Sequence, residues 1–153
     1  MYKFSYVKNY AGSAEIVDRE TFWKILKDKR VKDICFRIAE MDPKETEEIG
    51  KLKRQLPAFC WHAHFDGGKR KNYTAHSSGL IMLDLDHLDN PPETWGKIDE
   101  KAKTNGLLVA HVTPSGSGLR LVFPAPKGMN ISTAQTYYAK LLNLRNLEYR
   151  MKH

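Results

Sequence analysis

The sequence predicts an α+β fold, a mixed or antiparallel sheet with helices packed on it, and three observations carry that prediction. Residues 79–85, Gly-Leu-Ile-Met-Leu-Asp-Leu, form an apolar run bounded by Ser77-Ser78 before it and by Asp89-Asn90-Pro91-Pro92 after it. Such a run reads as a short strand buried on both faces. A helical pattern, a second apolar run, a Gly-Ser turn and a third apolar run follow, which is a strand–helix–strand unit extended by a hairpin. Amphipathic stretches with capping signals flank this centre on both sides. With 153 residues, 41% of them hydrophobic, the chain can bury one core, so a single domain is expected. Within it the organisation divides into an α/β module over about 1–56, a sheet core over about 57–125 and a basic helix over about 130–150.

Taken in order, residues 2–7 alternate weakly and can form a first strand. Asp18 is an N-cap candidate for a helix over about 18–30, with Phe22, Trp23, Ile25 and Leu26 at helical spacing and basic residues at the end the helix dipole favours. Asp42-Pro43-Lys44-Glu45 supplies an N-cap, a proline at the first helical position and an acid two residues later, opening a helix to about Gln55 that buries Ile49, Leu52 and Leu56. Pro57 closes it. Residues 58–65 alternate, so Phe59, Trp61, Ala63 and Phe65 should share one strand face and Cys60, His62 and His64 the other. His62 and His64 stand at a spacing that could bind a metal, but with no third ligand near in sequence they read rather as two polar side chains on the outer face of a strand. Asp66 to Thr74 is a flexible basic loop in which Lys69 and Arg70 follow Gly67-Gly68, able to reach a phosphate or to form a solvated hairpin tip. Residues 92–103 form a helix with Trp95, Ile98 and Ala102 facing inward, and residues 107–112 return as a strand. After the turn Thr113-Pro114-Ser115-Gly116-Ser117-Gly118, a further strand should put Leu119, Leu121 and Phe123 on the core face and Arg120 and Val122 on an open one. Residues 132–149 close the chain as a helix with Tyr137, Tyr138, Leu141, Leu142, Leu144 and Leu147 as its apolar stripe.

Charge and cysteine usage narrow the classes of function. The net charge is +7, and it is uneven: residues 1–100 balance 17 Lys and Arg against 17 Asp and Glu, whereas residues 101–153 hold 8 basic residues and one acid, Glu148. A polarised basic surface is the footprint of a protein that meets phosphates. Cys35 and Cys60 lack CxxC spacing and read as buried thiols. No run approaches the roughly 18 apolar residues of a membrane span, and charges interrupt the early apolar clusters of a would-be signal peptide. A cytoplasmic protein with no membrane partner is the expectation.

The chemistry centres on Asp84 and Asp86. On one strand they share a face, roughly 7 Å apart, while Leu83 and Leu85 take the other. Two ionised groups at the end of an apolar strand are costly unless a cation neutralises them or water reaches them. They can therefore share divalent cations, or simply end the strand and face solvent. The Gly-Ser turn adds Ser115, Gly116, Ser117 and Gly118 as candidates for gripping a phosphate, and Arg120 on the next strand can sit across from the carboxylates. A turn of this composition also makes ordinary hairpins.

Leu56-Pro57-Ala58-Phe59, then Ser78-Gly79-Leu80-Ile81-Met82-Leu83-Asp84-Leu85-Asp86, then Thr113-Pro114-Ser115-Gly116-Ser117-Gly118-Leu119-Arg120 resemble the VirE N-terminal family, a branch of the archaeo-eukaryotic primase and primase-polymerase superfamily. The resemblance spans roughly residues 50–125. It implies an RRM-like sheet and a primase-type core in which Asp84 and Asp86 hold Mg2+ or Mn2+, while the turn and Arg120 contact the nucleotide. The implied reaction is nucleotidyl transfer, that is, primer synthesis. The implied partners are nucleoside triphosphates, nucleic acid (DNA before RNA) and a helicase domain or protein, in the replication of bacterial mobile elements. Two departures stand out: Arg120 replaces the usual His, and beyond Glu100 the third acidic motif has no counterpart but Glu148 on a predicted helix. Asp66 or Asp89 could stand in for it, but the expectation is that the chain stops short of that motif and by itself polymerises poorly. Two rivals remain open. One is a non-catalytic nucleic-acid-binding module of the same fold. The other is a haloacid-dehalogenase-like phosphatase, which also sets a DxD after an apolar strand.

Overall fold

A computed structural model describes residues 2–9 and 12–144. The chain is α+β and gathers into two compact units, Met1–Ser78 and Gly79–His153. Among the described residues there are five helices and three antiparallel sheets, and no helix is long and apolar enough to cross a membrane.

The first unit is built on aromatic rings. Strand β1 (Phe4–Val7) lies between β2 (Glu15–Val17) and β3 (Ala58–Cys60), antiparallel to both. Beside this sheet, Trp61 packs 4.3 Å from Phe4 and 4.7 Å from Phe22, and Phe22 packs 4.8 Å from Phe59, ring centroid to ring centroid. Such clusters of large rings contribute most of a small unit's burial. Helix α1 (Arg19–Leu26) starts where the sequence places it, with the Asp18 side chain accepting the Thr21 N–H at 2.9 Å.

The single helix expected over 18–30 is in fact two. Asp28 leaves the helical conformation and caps a new helix, α2 (Lys29–Glu40), by accepting the Arg30 N–H at 2.8 Å. Val31, Ile34 and Ile38 of α2 recur at helical spacing and pack with Leu52 and Leu56 in one cluster, so burial of this second stripe fixes the break. Helix α3 (Thr46–Lys53) begins later than Asp42 implies, because the Asp42 side chain and carbonyl bond Lys44 N–H and Glu45 N–H in a turn of their own. The strand expected over 58–65 is also divided. A turn at Trp61-His62 separates β3 from β4 (Ala63–Phe65), which pairs with β5 (Ala75–Ser77) in a second sheet. Phe59 and Trp61 do share a cluster, but Ala63 and Phe65 belong elsewhere, and the neighbour of His64 is His76, directly across the sheet.

The second unit holds β6 (Leu80–Leu85), helix α4 (Pro91–Thr104), β7 (Val109–Val112), β8 (Leu119–Pro124) and helix α5 (Ile131–Leu141). The strand order is β6-β8-β7 with both pairings antiparallel, so β6 and β7 run parallel with β8 inserted between them. The expected strand–helix–strand unit is present in its split form, because the tight 113–118 turn folds β8 straight back into the gap. Alternation then divides the side chains. Ile81, Leu83, Leu85, Leu119, Leu121 and Phe123 take one face and pack with Ile98 and Ala102 of α4 and Ala134 and Tyr138 of α5. Leu80, Val109 and Val122 on the other face are buried as well, so the face expected to be open is not.

Helix α5 stops at Leu141 instead of running to 149. Asn143 adopts a φ of 55°, and Leu144 N–H reaches back to the Ala139 carbonyl at 2.9 Å, a closing turn that brings Leu142 and Leu144 into the core. Leu147, Glu148 and Tyr149 lie outside the described residues.

Because the α1–α2 break depends on its cap, Asp28→Ala is expected to cost about 1 kcal/mol of stability. Urea unfolding should show a lowered midpoint at unchanged slope, and an unmoved midpoint would mean that packing alone holds the break.

Candidate functional site

A polar row crosses the second unit's sheet. In register, Asp84 of β6 stands opposite Arg120 of β8, which stands opposite His111 of β7. Residues paired directly across antiparallel strands project to the same face, so these three side chains form one line on the face away from the α4–α5 core. Arg120 forks onto Asp84, with Nε 2.6 Å from one carboxylate oxygen and the second guanidinium nitrogen 3.1 Å from the other. The Asp84 side chain is 1% exposed and that of Arg120 23%. This is the bidentate geometry that best offsets the cost of burying a carboxylate.

At the end of this row two loops meet. Asp86 follows the last residue of β6 and is half-buried, and His87 after it takes a φ of 58°, turning the chain sharply. Leu88 then donates its N–H to the Ser117 carbonyl at 2.8 Å, tying the acidic loop to the Gly-Ser turn. The turn closes on itself through Thr113 N–H to Gly118 O at 3.0 Å and Gly116 N–H to Thr113 O at 2.9 Å. A Cβ on Gly118 would stand 2.5 Å from the Thr113 hydroxyl and 3.2 Å from the Leu85 carbonyl, so only glycine lets the turn lie against the end of β6. The hydroxyls of Thr113, Ser115 and Ser117 stand in sequence, 3.3 Å and 3.1 Å apart.

The fold therefore brings together, on one unit, Asp84, Asp86, Arg120 and the Ser115–Gly118 turn. Lys69 and Arg70 belong to the first unit, exposed on a stretch between two 3-10 turns, Asp66–Gly68 and Asn72–Thr74. His62 lies in the turn before β4, and His64 stacks on His76 at 5.3 Å, while His76 bonds Asp66 at 2.7 Å. Sequence reasoning passed over His111. Its signal was the alternation of Val109-Ala110-His111-Val112, which puts residue 111 on the face opposite to Ala110 once the strand is recognised. Burial lowers the His111 pKa first and the Arg120 charge lowers it further, against the Val112 carbonyl bond and the Asp84 carboxylate, which raise it. The ring is thereby favoured as neutral, with Nδ1 3.0 Å from the Val112 carbonyl.

With the fork closed, Asp84 is not free to take a divalent cation. Both Asp84 oxygens are held by Arg120, and no group of three or more His, Cys, Asp or Glu among the described residues is placed to hold a metal. Mg2+ is commonly held by one or two carboxylates with waters completing its octahedron, so Asp84 and Asp86 would hold such a cation only with Asp84 released from Arg120.

What the fold and the site define together is an α+β domain whose split sheet carries a buried ion pair next to a linked acidic loop and Gly-Ser turn. Residues 51–150 match the model of the BT4734-like, N-terminal domain family, and the chain belongs to that family. No curated protein matches the chain, and no solved structure does.

Two measurements probe the row. Arg120→Met leaves the Asp84 carboxylate buried without its fork and should cost about 3–5 kcal/mol in urea unfolding, whereas Asp84→Leu with Arg120→Met should recover most of it. Equal losses in the single and double variants would mean that the pair is not what the strands rest on. His111 sets a pH dependence. Its folded-state pKa lies below the ordinary 6.5, so below about that pH the unfolded chain binds the extra proton and stability falls as pH drops through the window. In His111→Gln the difference in stability between about pH 7.5 and about pH 5 should shrink, and an unchanged difference would remove His111 as its source.

Proposed function

We propose that the chain acts in nucleic-acid replication as a primase-polymerase-like domain, one that engages nucleic acid and nucleoside triphosphates and, as arranged here, binds them without polymerising. The observation that carries this reading is the junction of the two motifs. The loop bearing Asp86 and the turn bearing Ser115–Gly118 are hydrogen-bonded to each other, with Asp84 and Arg120 directly opposed behind them. Support also comes from the motif order and spacing that resemble the VirE N-terminal family, and from a net charge of +7. In the proposed role, the hydroxyls of Thr113, Ser115 and Ser117 present donors to phosphate oxygens. The Arg120 guanidinium is committed to Asp84 and positions the strands. Basic residues of the C-terminal third, Lys101, Lys103, Lys127 and Lys140 among those described, supply the sequence-independent attraction to a phosphate backbone.

The proposed role is the non-catalytic nucleic-acid-binding form of the fold, which the closed Asp84–Arg120 fork favours, and the catalytic form is the second reading. Metal-dependent nucleotidyl transfer with Mg2+ or Mn2+ would require Asp84 to leave Arg120 before its oxygens could take a cation.

The test is a labelled single-stranded template titrated with the protein at about 50 mM and about 200 mM salt, alongside a primer-synthesis assay with Mn2+ and mixed nucleotides. The expected outcome is binding that weakens steeply with salt, survives EDTA and Asp84→Asn, and yields no primers. Primers abolished by Asp84→Asn would establish the catalytic form of the reading instead, and absence of binding at the lower salt would overturn both.

A further inference from the structure

The first unit contains a cleft of about 390 Å3 that neither motif touches. It is lined by Tyr6 and Lys8 from the β1 region, by Lys24 and Ile25 of α1, and by Arg30 and Val31 of α2. Pro57 completes the lining and is its one residue inside the stretch that matches the family; the others lie before residue 51. The volume falls within the range of sites that hold a small molecule or one unit of a polymer, roughly 300–1,000 Å3.

Three cations and one acid, Asp28, line this cleft. The acid is already engaged, since its carboxylate accepts the Arg30 N–H at 2.8 Å as the cap of α2. The Arg30 guanidinium is positioned, with one terminal nitrogen 3.0 Å from the Gln55 carbonyl, which leaves further donors on the same fork. Lys24 pairs with Glu20 at 3.5 Å with both side chains largely exposed, an ion pair worth little and easily exchanged for a phosphate. The ring of Tyr6, half-buried, is braced by Phe59 in a stacked arrangement at 5.7 Å and 29°. Ile25 and Val31 give the cleft its apolar wall. A fixed aromatic ring, an apolar wall and an excess of positive charge form the combination that takes a nucleobase together with its phosphate.

We propose that this cleft binds one nucleotide unit, base and phosphate together, either as a free nucleotide or as part of a single strand. It shares no residue with the Asp84–Arg120 row, so it adds a second nucleotide-contacting site to the function proposed above, on which it rests, and the variants below tell failure of the one from failure of the other.

The experiment is an NMR titration of the isotopically labelled full chain with a four-residue oligothymidylate, with thymidine monophosphate and with inorganic phosphate. Amides of Tyr6, Ile25, Arg30 and Val31 should shift and saturate with the oligonucleotide. Matching shifts at similar affinity with the monophosphate identify a free nucleotide as sufficient, and shifts with the oligonucleotide alone identify a strand. Lys8→Glu with Lys24→Glu, both exposed positions, should weaken binding at least about tenfold with the rest of the spectrum unchanged, while Lys44→Glu, on the same unit outside the cleft, should not. Arg120→Met should leave the cleft shifts in place, which separates this site from the polar row. Shifts confined to residues 79–144, equal binding of inorganic phosphate, or unchanged affinity in the Lys8 and Lys24 variant would overturn the proposal.

Discussion

The second unit depends on one interaction, the fork between Arg120 and the buried carboxylate of Asp84. A carboxylate at 1% exposure is tolerable only with its charge matched and its oxygens bonded, and the planar guanidinium does both at 2.6 and 3.1 Å. Lysine, with a single ammonium, could not reproduce it. The fork also enforces register. Sliding β8 by one residue would send Arg120 to the α4–α5 core and Leu119 or Leu121 to the polar row, so the pair penalises every alternative alignment of β6 with β8.

Register in turn decides what meets at the sheet's end. With Leu85 opposite Leu119, the Gly-Ser turn lies against the end of β6, and the absence of a side chain at Gly118 lets it approach the Leu85 carbonyl. The Leu88 to Ser117 bond then couples the acidic loop to the turn. The same geometry has a chemical consequence. A carboxylate whose two oxygens both accept from an internal guanidinium is not a free metal ligand while that fork is closed.

The first unit solves a different problem by different means. Its strands are short, so its stability rests on interlocking rings of Phe4, Phe22, Phe59 and Trp61 and on helices capped by Asp18 and Asp28. The Asp28 cap has a second effect. By ending α1 and starting α2 at once, it places Lys24 and Arg30 on successive helices that line a common cleft with Tyr6.

Much of this was legible in the residues alone, where the signal is local. The apolar run of β6, the Asp18 cap, the breakers around Asn90-Pro91, the alternation of β8 and the α+β class all follow from periodicity and turn chemistry, which depend only on near neighbours in the chain. The division of 18–40 into two helices, the late start of α3, the break of the 58–65 strand at Trp61-His62 and the end of α5 at Asn143 did not, because at each point a short polar side chain or a packing demand outweighed a continuous pattern. At the site, the sequence by itself determined which groups carry charge and on which face of their strands Asp84 and Arg120 lie. Tertiary structure decided that Arg120 would grip Asp84 rather than stand clear of it, that His111 would join their row, and that their face would be buried. The physical reason is that the energy of a charge depends on its surroundings in three dimensions, on burial and on the distance to an opposite charge, and neither quantity is written in the order of residues along the chain.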